Sequence, residues 1–200
     1  MRILRSIHSL NPAGGGPSES VVQSSLALIA RGHDVEIVCL DRPDALWLKQ
    51  ARLKVHALGP GTRGYGYAPR FDRWIEGRYR DFDAVIVHGT WLYNGYGVWR
   101  TLRKTSIPYY VFPHGMLDPW FKRAYPLKHL KKLLYWLLAE RRILRDAAAV
   151  LFTSEEERRL ARKSFPFCKC NEVVVNYGTA GPDVDLGSAR EEFLDRKSVV

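Results

Sequence analysis

Two short turns in this 200-residue sequence set histidine, glycine and tryptophan side by side: His88-Gly89-Thr90-Trp91 and Pro113-His114-Gly115-Met116-Leu117-Asp118-Pro119-Trp120. The second follows a β-type run, Tyr109–Phe112, so its histidine, its flexible glycine and its carboxylate stand where a strand ends. An imidazole there can hold or pass a proton, and a tryptophan face suits a sugar ring. Pro, Gly and Asp are also ordinary turn residues, so taken alone the octet divides evenly between a ligand site and a structural turn. A third stretch, Gly14-Gly15-Gly16, precedes a helical pattern, and backbone amides at a helix start favour a phosphate. Two familiar phosphate motifs fail on it: a Gly-x-Gly-x-x-Gly fingerprint would need glycine at Glu19, and no Gly-x4-Gly-Lys-Ser/Thr exists. Asp41 occupies the place where a dinucleotide enzyme holds a ribose, which keeps an NAD-dependent oxidoreductase open as a minor alternative.

The elements that must position these residues alternate. Strand patterns fall at Ile3–Ile7, Val35–Leu40, Val55–Leu58, Ala84–His88, Tyr109–Phe112, Ala148–Phe152 and Glu172–Val175. Helical patterns lie between them. One runs from Ser18 or Glu19 to Ala30, with Val21, Val22, Leu26, Ile29 and Ala30 as its apolar stripe. Others cover about Arg70–Tyr79, Tyr96–Lys104 and Leu127–Arg145, and a fourth starts at Ser154, whose hydroxyl and following acids suit a helix N-terminus. Strands rich in Val and Ile that alternate with helices predict an α/β fold with a doubly wound, mainly parallel, Rossmann-like sheet of about seven strands. In such sheets ligands bind at the carboxyl ends of the strands. Neighbouring parallel strands lie about 4.8 Å apart, so the two His-Gly turns share one rim, opposite the glycine loop. Trp91, Tyr93, Tyr96 and Trp120 add aromatic faces nearby. That grouping favours a ligand site over plain turns.

Composition narrows the partners. With 46% hydrophobic and 26% charged residues the chain reads as globular, and no apolar run approaches the roughly 18 residues of a membrane span. The start, Met1-Arg2-Ile3-Leu4-Arg5, turns polar too early for a signal peptide. Three cysteines, Cys39, Cys168 and Cys170, make neither a disulfide framework nor a zinc set, so no metal is expected. The formal charge of +10 calls for an acidic partner. Between Lys122 and Arg145 eight basic residues face one acid, Glu140, with Leu127, Leu130, Leu134, Trp136, Leu137 and Leu138 among them. This reads either as the solvated face of a core helix or as attachment of the stretch 127–145 to anionic lipid. No base-reading module is visible, so nucleic acid is not expected.

Taken in order, these pieces resemble the amino-terminal domain of family-four glycosyltransferases of the two-domain GT-B type. The matching text covers about residues 1–180. It comprises Gly14-Gly15-Gly16-Pro17, Leu28–Val35, Asp83–Trp91, Ile107-Pro108-Tyr109, the octet Pro113–Trp120, Thr153–Glu157 and Val173–Gly178. Each is weak alone; the ordered set is specific.

The resemblance implies retaining transfer of a hexose from a nucleotide-sugar to a glycan or lipid-linked acceptor, with no further cofactor. It places Gly15 and Gly16 beside the donor diphosphate, and His114 against the transferred sugar as the catalytic residue. Gly14, His88, Trp91, Asp118 and Trp120 then line the acceptor cleft, with Asp118 holding the turn. It implies surface-polysaccharide or lipid-linked glycan synthesis at the cytoplasmic face of a membrane. Donor grip in this family rests mainly on a second, carboxyl-terminal domain with two glutamates eight positions apart, a spacing that no glutamate pair here shows. Residues 181–200 accordingly read as a linker and the truncated start of that domain, with a short helical piece over Ser188–Asp195. A non-catalytic module that binds an acceptor or a partner is the competing expectation.

Overall fold

The computed structural model describes residues 1–50, 53–62, 64–166 and 169–175. Cys168, the Asn176-Tyr177-Gly178 stretch and the expected linker lie outside the described residues.

In chain order, β1 (Arg2–Ile7) leads through a 3₁₀ turn (Pro12–Gly14) into α1 (Gly16–Ala30) and β2 (Asp34–Cys39). Then come α2 (Leu46–Gln50), β3 (Lys54–Ala57), α3 (Pro69–Arg78), β4 (Ala84–His88), α4 (Tyr93–Leu102) and β5 (Tyr109–Phe112). A short α5 (Trp120–Ala124) precedes α6 (Pro126–Tyr135), a π-helical turn (Trp136–Glu140) and α7 (Arg141–Asp146). β6 (Ala149–Phe152), α8 (Glu155–Ala161) and β7 (Glu172–Val174) follow. The strands form one parallel sheet in the order β3-β2-β1-β4-β5-β6-β7. This is the doubly wound α/β sheet that the alternation of patterns predicts, and the order reverses beside β1, where such folds bind ligands.

Period-two alternation assigns the strand side chains to two faces. Leu4, Val38, Val85, Val87 and Val111 meet Phe71, Ile75, Val98 and Leu102 in the larger core. Ile7, Ile37 and Cys39 meet Val21 and Leu10 in a smaller core, against which Trp47 and Leu48 of α2 pack. Arg5 and His88 fall on this second side. Pairing of Ile7 with His88, and of His88 with Phe112, brings the ends of β1, β4 and β5 level.

Three expectations need correction. α2 and α5 carry no strong periodic signal and are found only in the structure. The expected stripe of α1 holds at Val21 and Val22 but not at Ile29 and Ala30: the buried residues are Ser18, Val21 and Ser25, whereas Ile29 is 41% exposed. The physical reason is Arg5, a buried cation beneath α1 that needs oxygen acceptors, which Ser24, Ser25 and the Val21 carbonyl supply. The helix expected over 127–145 winds through a π turn, which buries Trp136, Ala139 and Glu140. On the same stretch Leu130, Leu134 and Leu138 are each more than 60% exposed. Among the described residues no helix is long and apolar enough to cross a membrane.

Candidate functional site

At the level rim of β1, β4 and β5 a line of three side chains runs out from the interior. Arg5 of β1, only 2% exposed, donates through Nη1 to Val21 O (3.0 Å), Ser24 Oγ (2.6 Å) and Ser25 Oγ (2.9 Å). Its Nε donates to His88 Nε2 at 3.2 Å. His88, equally buried, lies with Nδ1 at 3.0 Å from His114 Nε2. The two imidazoles and Phe112 stack with ring centroids 5.3–5.6 Å apart.

Arginine has only donors, so it fixes the polarity of the chain. His88 Nε2 must accept, which leaves the His88 proton on Nδ1, donated to His114 Nε2. A neutral His114 then carries its own proton on Nδ1. Burial pushes the His88 pKa well down, and the Arg5 charge and His114 push the same way. Burial also lowers His114, to about 4, with Glu157 opposing and Arg5 assisting. The histidine at the rim is therefore a neutral imidazole at physiological pH, held in one tautomer.

The backbone around His114 is unusual. His114 has φ 52° and Gly115 φ 73°, a left-handed pair in which the non-glycine member is sterically disfavoured. Glu157 holds it from the side. Its Oε1 accepts from Gly115 N (2.7 Å), and its Oε2 accepts from Thr153 N (2.8 Å) and Thr153 Oγ1 (2.7 Å). Ser154 caps the same helix by accepting from Glu157 N at 3.1 Å. The Ser154–Glu157 text signals a helix start, but nothing in it announces the reach across to Gly115.

Trp91 sits at φ 70°, a genuine outlier for so bulky a residue. Its N–H donates to Glu140 Oε2 (3.1 Å) and its Nε1 to the carbonyl of Met116 (3.1 Å). Glu140 is turned inward by the π turn, and such turns cluster at functional sites. Burial pushes its carboxyl up to about 7, against the Trp91 amide and Lys132, which pull it down.

The glycine loop is open. Gly14 closes the 3₁₀ turn, Gly15 takes φ 85°, and a Cβ added to Gly15 or Gly16 would meet nothing within 4 Å. No side chain caps the start of α1, so its first amides face outward with the positive end of the helix dipole.

Asp118 Oδ1 accepts from Trp120 N at 2.7 Å, which is a turn-holding bond. Trp120 is 57% exposed at the start of α5, where it meets Tyr125 edge-on. The structure thus joins His88, His114, Trp91 and Asp118 through one segment, and stations Trp120 on the outer surface. Asp41 accepts from Ser9 Oγ (2.6 Å) and Leu10 N (2.7 Å). Its carboxylate braces the loop after β1 and is not presented to a ribose. Sequence reasoning missed Arg5, Glu140 and Glu157, each of which acts through a partner remote in the chain.

Comparison with known proteins agrees with this architecture. The family profile described as "Glycosyl transferase 4-like domain" matches residues 15–178. Among solved structures, sucrose-phosphate synthase from Thermosynechococcus elongatus aligns with TM-score 0.67 at 16% identity, over 97% of this chain and 53% of that one. Anabaena HepE, crystallised with UDP and glucose, aligns with TM-score 0.59 at 15% identity, over 96% and 50%. A glycosyltransferase from Rickettsia africae gives 0.52 at 14%, over 100% and 50%. The chain thus spans about half the length of each of these structures. No curated protein matches the chain in a sequence search.

Proposed function

Because the chain belongs to the glycosyl transferase 4-like domain family, we propose that it is the acceptor-side half of a two-domain glycosyltransferase. It moves a hexose from a nucleotide-sugar to a glycan or lipid-linked acceptor, with retention at the anomeric carbon. The observation that carries this reading is the neutral His114 imidazole, fixed by buried Arg5 and His88 on the rim that the open Gly15–Gly16 loop shares. Transfer from a nucleotide-sugar builds negative charge on the leaving diphosphate and positive charge at the anomeric carbon. Uncapped amides at the start of α1 answer the first charge. His114, being uncharged, orients the sugar by hydrogen bonding without repelling the oxocarbenium-like centre, and positioning supplies much of the rate. HepE holds UDP and glucose in its crystal, which supports a nucleoside-diphosphate hexose as donor class. The remaining donor contacts belong to a second domain.

The setting is a cytoplasmic membrane face, in surface-polysaccharide or lipid-linked glycan assembly. Leu130, Leu134, Leu137 and Leu138 are exposed among Lys128, Lys131, Arg141, Arg142 and Arg145. That is the composition of a helix lying in an anionic interface.

The test joins residues 1–180 to the carboxyl-terminal domain of a family-four enzyme and measures sugar transfer and nucleotide release. Replacement of His114 by Ala is expected to lower transfer by about 100-fold or more, the range for loss of a positioned hydrogen-bonding group. Undiminished transfer would remove His114 from the mechanism. The competing reading is a binding module without transfer; tight nucleotide-sugar binding by the isolated chain in calorimetry would count against it.

A further inference from the structure

On the same side as the Met116 segment lies a cavity of about 440 Å³ lined by Gly64, Tyr65, Trp91, Lys131, Lys132 and Tyr135. None of the chemistry assigned to His114 uses it. Several unrelated features converge on its aromatic wall. Trp91 is held in a strained backbone conformation by a buried carboxylate below and by the Met116 carbonyl beside it. Strain of this kind persists where the surroundings enforce it, and it collects at ligand sites. Phe165 packs against the Trp91 ring at 4.9 Å and Tyr135 approaches at 6.4 Å, which fixes the plane of the indole. Lys132 Nζ lies over that ring, 5.0 Å from its centre, in a cation–π contact that a seated ligand would share. Tyr65 and Tyr135 share a hydroxyl–hydroxyl bond of 2.8 Å. Two phenols bring two hydrogens and that bond uses one, so the pair retains a hydroxyl hydrogen for an acceptor atom.

An indole face beside two ammonium groups and a phenol donor matches a ligand in which a flat-faced ring adjoins an anion. Neither half alone accounts for the wall. A neutral sugar has no use for Lys131 and Lys132, and free phosphate has none for a braced tryptophan.

We propose that this cavity is the acceptor's glycosyl-phosphate subsite, with the sugar ring on Trp91 and the phosphate between Lys131, Lys132 and the Tyr65–Tyr135 hydroxyls. The acceptor class is thereby a sugar phosphate, supplied either free in solution or as the head of a lipid-linked phosphodiester. The proposal rests on the acceptor-side reading of the domain and deepens it. Trp91 ties the cavity wall to the His114 turn: its Nε1 donates to Met116 O, and Met116 N donates to Pro113 O. A ligand seated on Trp91 therefore lies next to the turn that carries His114.

The experiment titrates the full 200-residue chain by calorimetry with glucose 1-phosphate, glucose, inorganic phosphate, UMP and the decyl phosphodiester of glucose. Glucose 1-phosphate or its decyl diester is expected to bind at least about tenfold more tightly than glucose, phosphate or UMP. One charge-assisted hydrogen bond is worth that factor. Preference for the diester assigns the lipid-linked source, and preference for the monoester the soluble one. Lys131→Met and Lys132→Met should each weaken the favoured ligand by about tenfold, with the near-ultraviolet circular dichroism of the parent retained. Tyr135→Phe, a variant that keeps the ring packing, should weaken it as well.

Equal binding of phosphate or glucose alone, tighter binding of UMP, affinity indifferent to both lysines, or no saturable binding by any of the five overturns the proposal. The two readings fail separately. Efficient transfer by the joined enzyme to a neutral sugar, indifferent to the lysines, sinks the glycosyl-phosphate subsite and leaves the glycosyltransferase standing. Loss of all transfer with the phosphate binding intact does the reverse.

Discussion

Replacing Glu140 with glutamine removes one ionisable proton from the centre of the π turn while keeping the shape and the acceptor for Trp91 N–H. Burial raises the Glu140 carboxyl from an ordinary 4.5 to about 7. Between those values the native protein holds a proton that the unfolded chain has released, so wild-type stability declines as pH rises through this window and levels off above it. A rise of roughly two and a half units corresponds to about 3 kcal/mol at 1.36 kcal/mol per unit. Glu140→Gln carries no such loss. His88 and His114, whose pKa values burial lowers, make stability rise with pH in the acid range, but they do so in both proteins and cancel in the difference. Urea unfolding of the two proteins, followed by tryptophan fluorescence at pH 5, 6, 7 and 8, gives that difference directly. Relative to wild type, Glu140→Gln should gain steadily from pH 5 to pH 7, by about 2 kcal/mol over that interval, and level off by pH 8. A difference that does not change with pH, or one that shifts the opposite way, would refute a carboxyl desolvated under Trp91.

Two other expectations follow from the site and the surface. In long-range proton–nitrogen spectra, His88 and His114 should each show a protonated Nδ1 and a bare Nε2, and Arg5→Met should release both into mixed tautomers; unchanged spectra would remove Arg5 as the residue that sets the polarity. Sedimentation with phosphatidylglycerol vesicles should capture the wild-type chain, and paired Leu134→Ser and Leu138→Ser substitutions should weaken capture by about tenfold or more, since each buried leucine contributes about 1.5–3 kcal/mol; equal capture of the two proteins would dismiss the leucine face as the anchor.

How far the sequence could be read depended on whether a residue's reason lay near it in the chain. Val85-Ile86-Val87 reads as a strand covered on both faces because that is a local pattern, and level strand ends follow from parallel pairing. Hence the sequence alone places His88 and His114 together. Arg5 could not be understood this way. One arginine inside Ile3–Ile7 reads as noise, and its acceptors lie on a helix whose serines look like gaps in an apolar stripe. Glu140 looked like the odd acid in a basic helix, since a π turn shifts the facing of side chains without leaving a mark in hydrophobic period. The sequence groups His88 with the cleft residues, yet it is 2% exposed and reaches the rim through His114. Trp91 and Trp120 carry the same side chain, yet one is braced inside a cavity wall and the other stands on the surface. Composition has no means of separating them.

The Glu157 carboxylate gathers donors from two neighbouring strand ends, Gly115 after β5 and Thr153 after β6. A turn that bears a reactive histidine is often free to swing, and such a turn can open and shut over its ligand. Here the fastening makes the two loops a single body, anchored to a capped helix. His114 therefore serves as a stationary reference point. Under the proposed function, the motion that admits and releases ligand comes from the segments that face it.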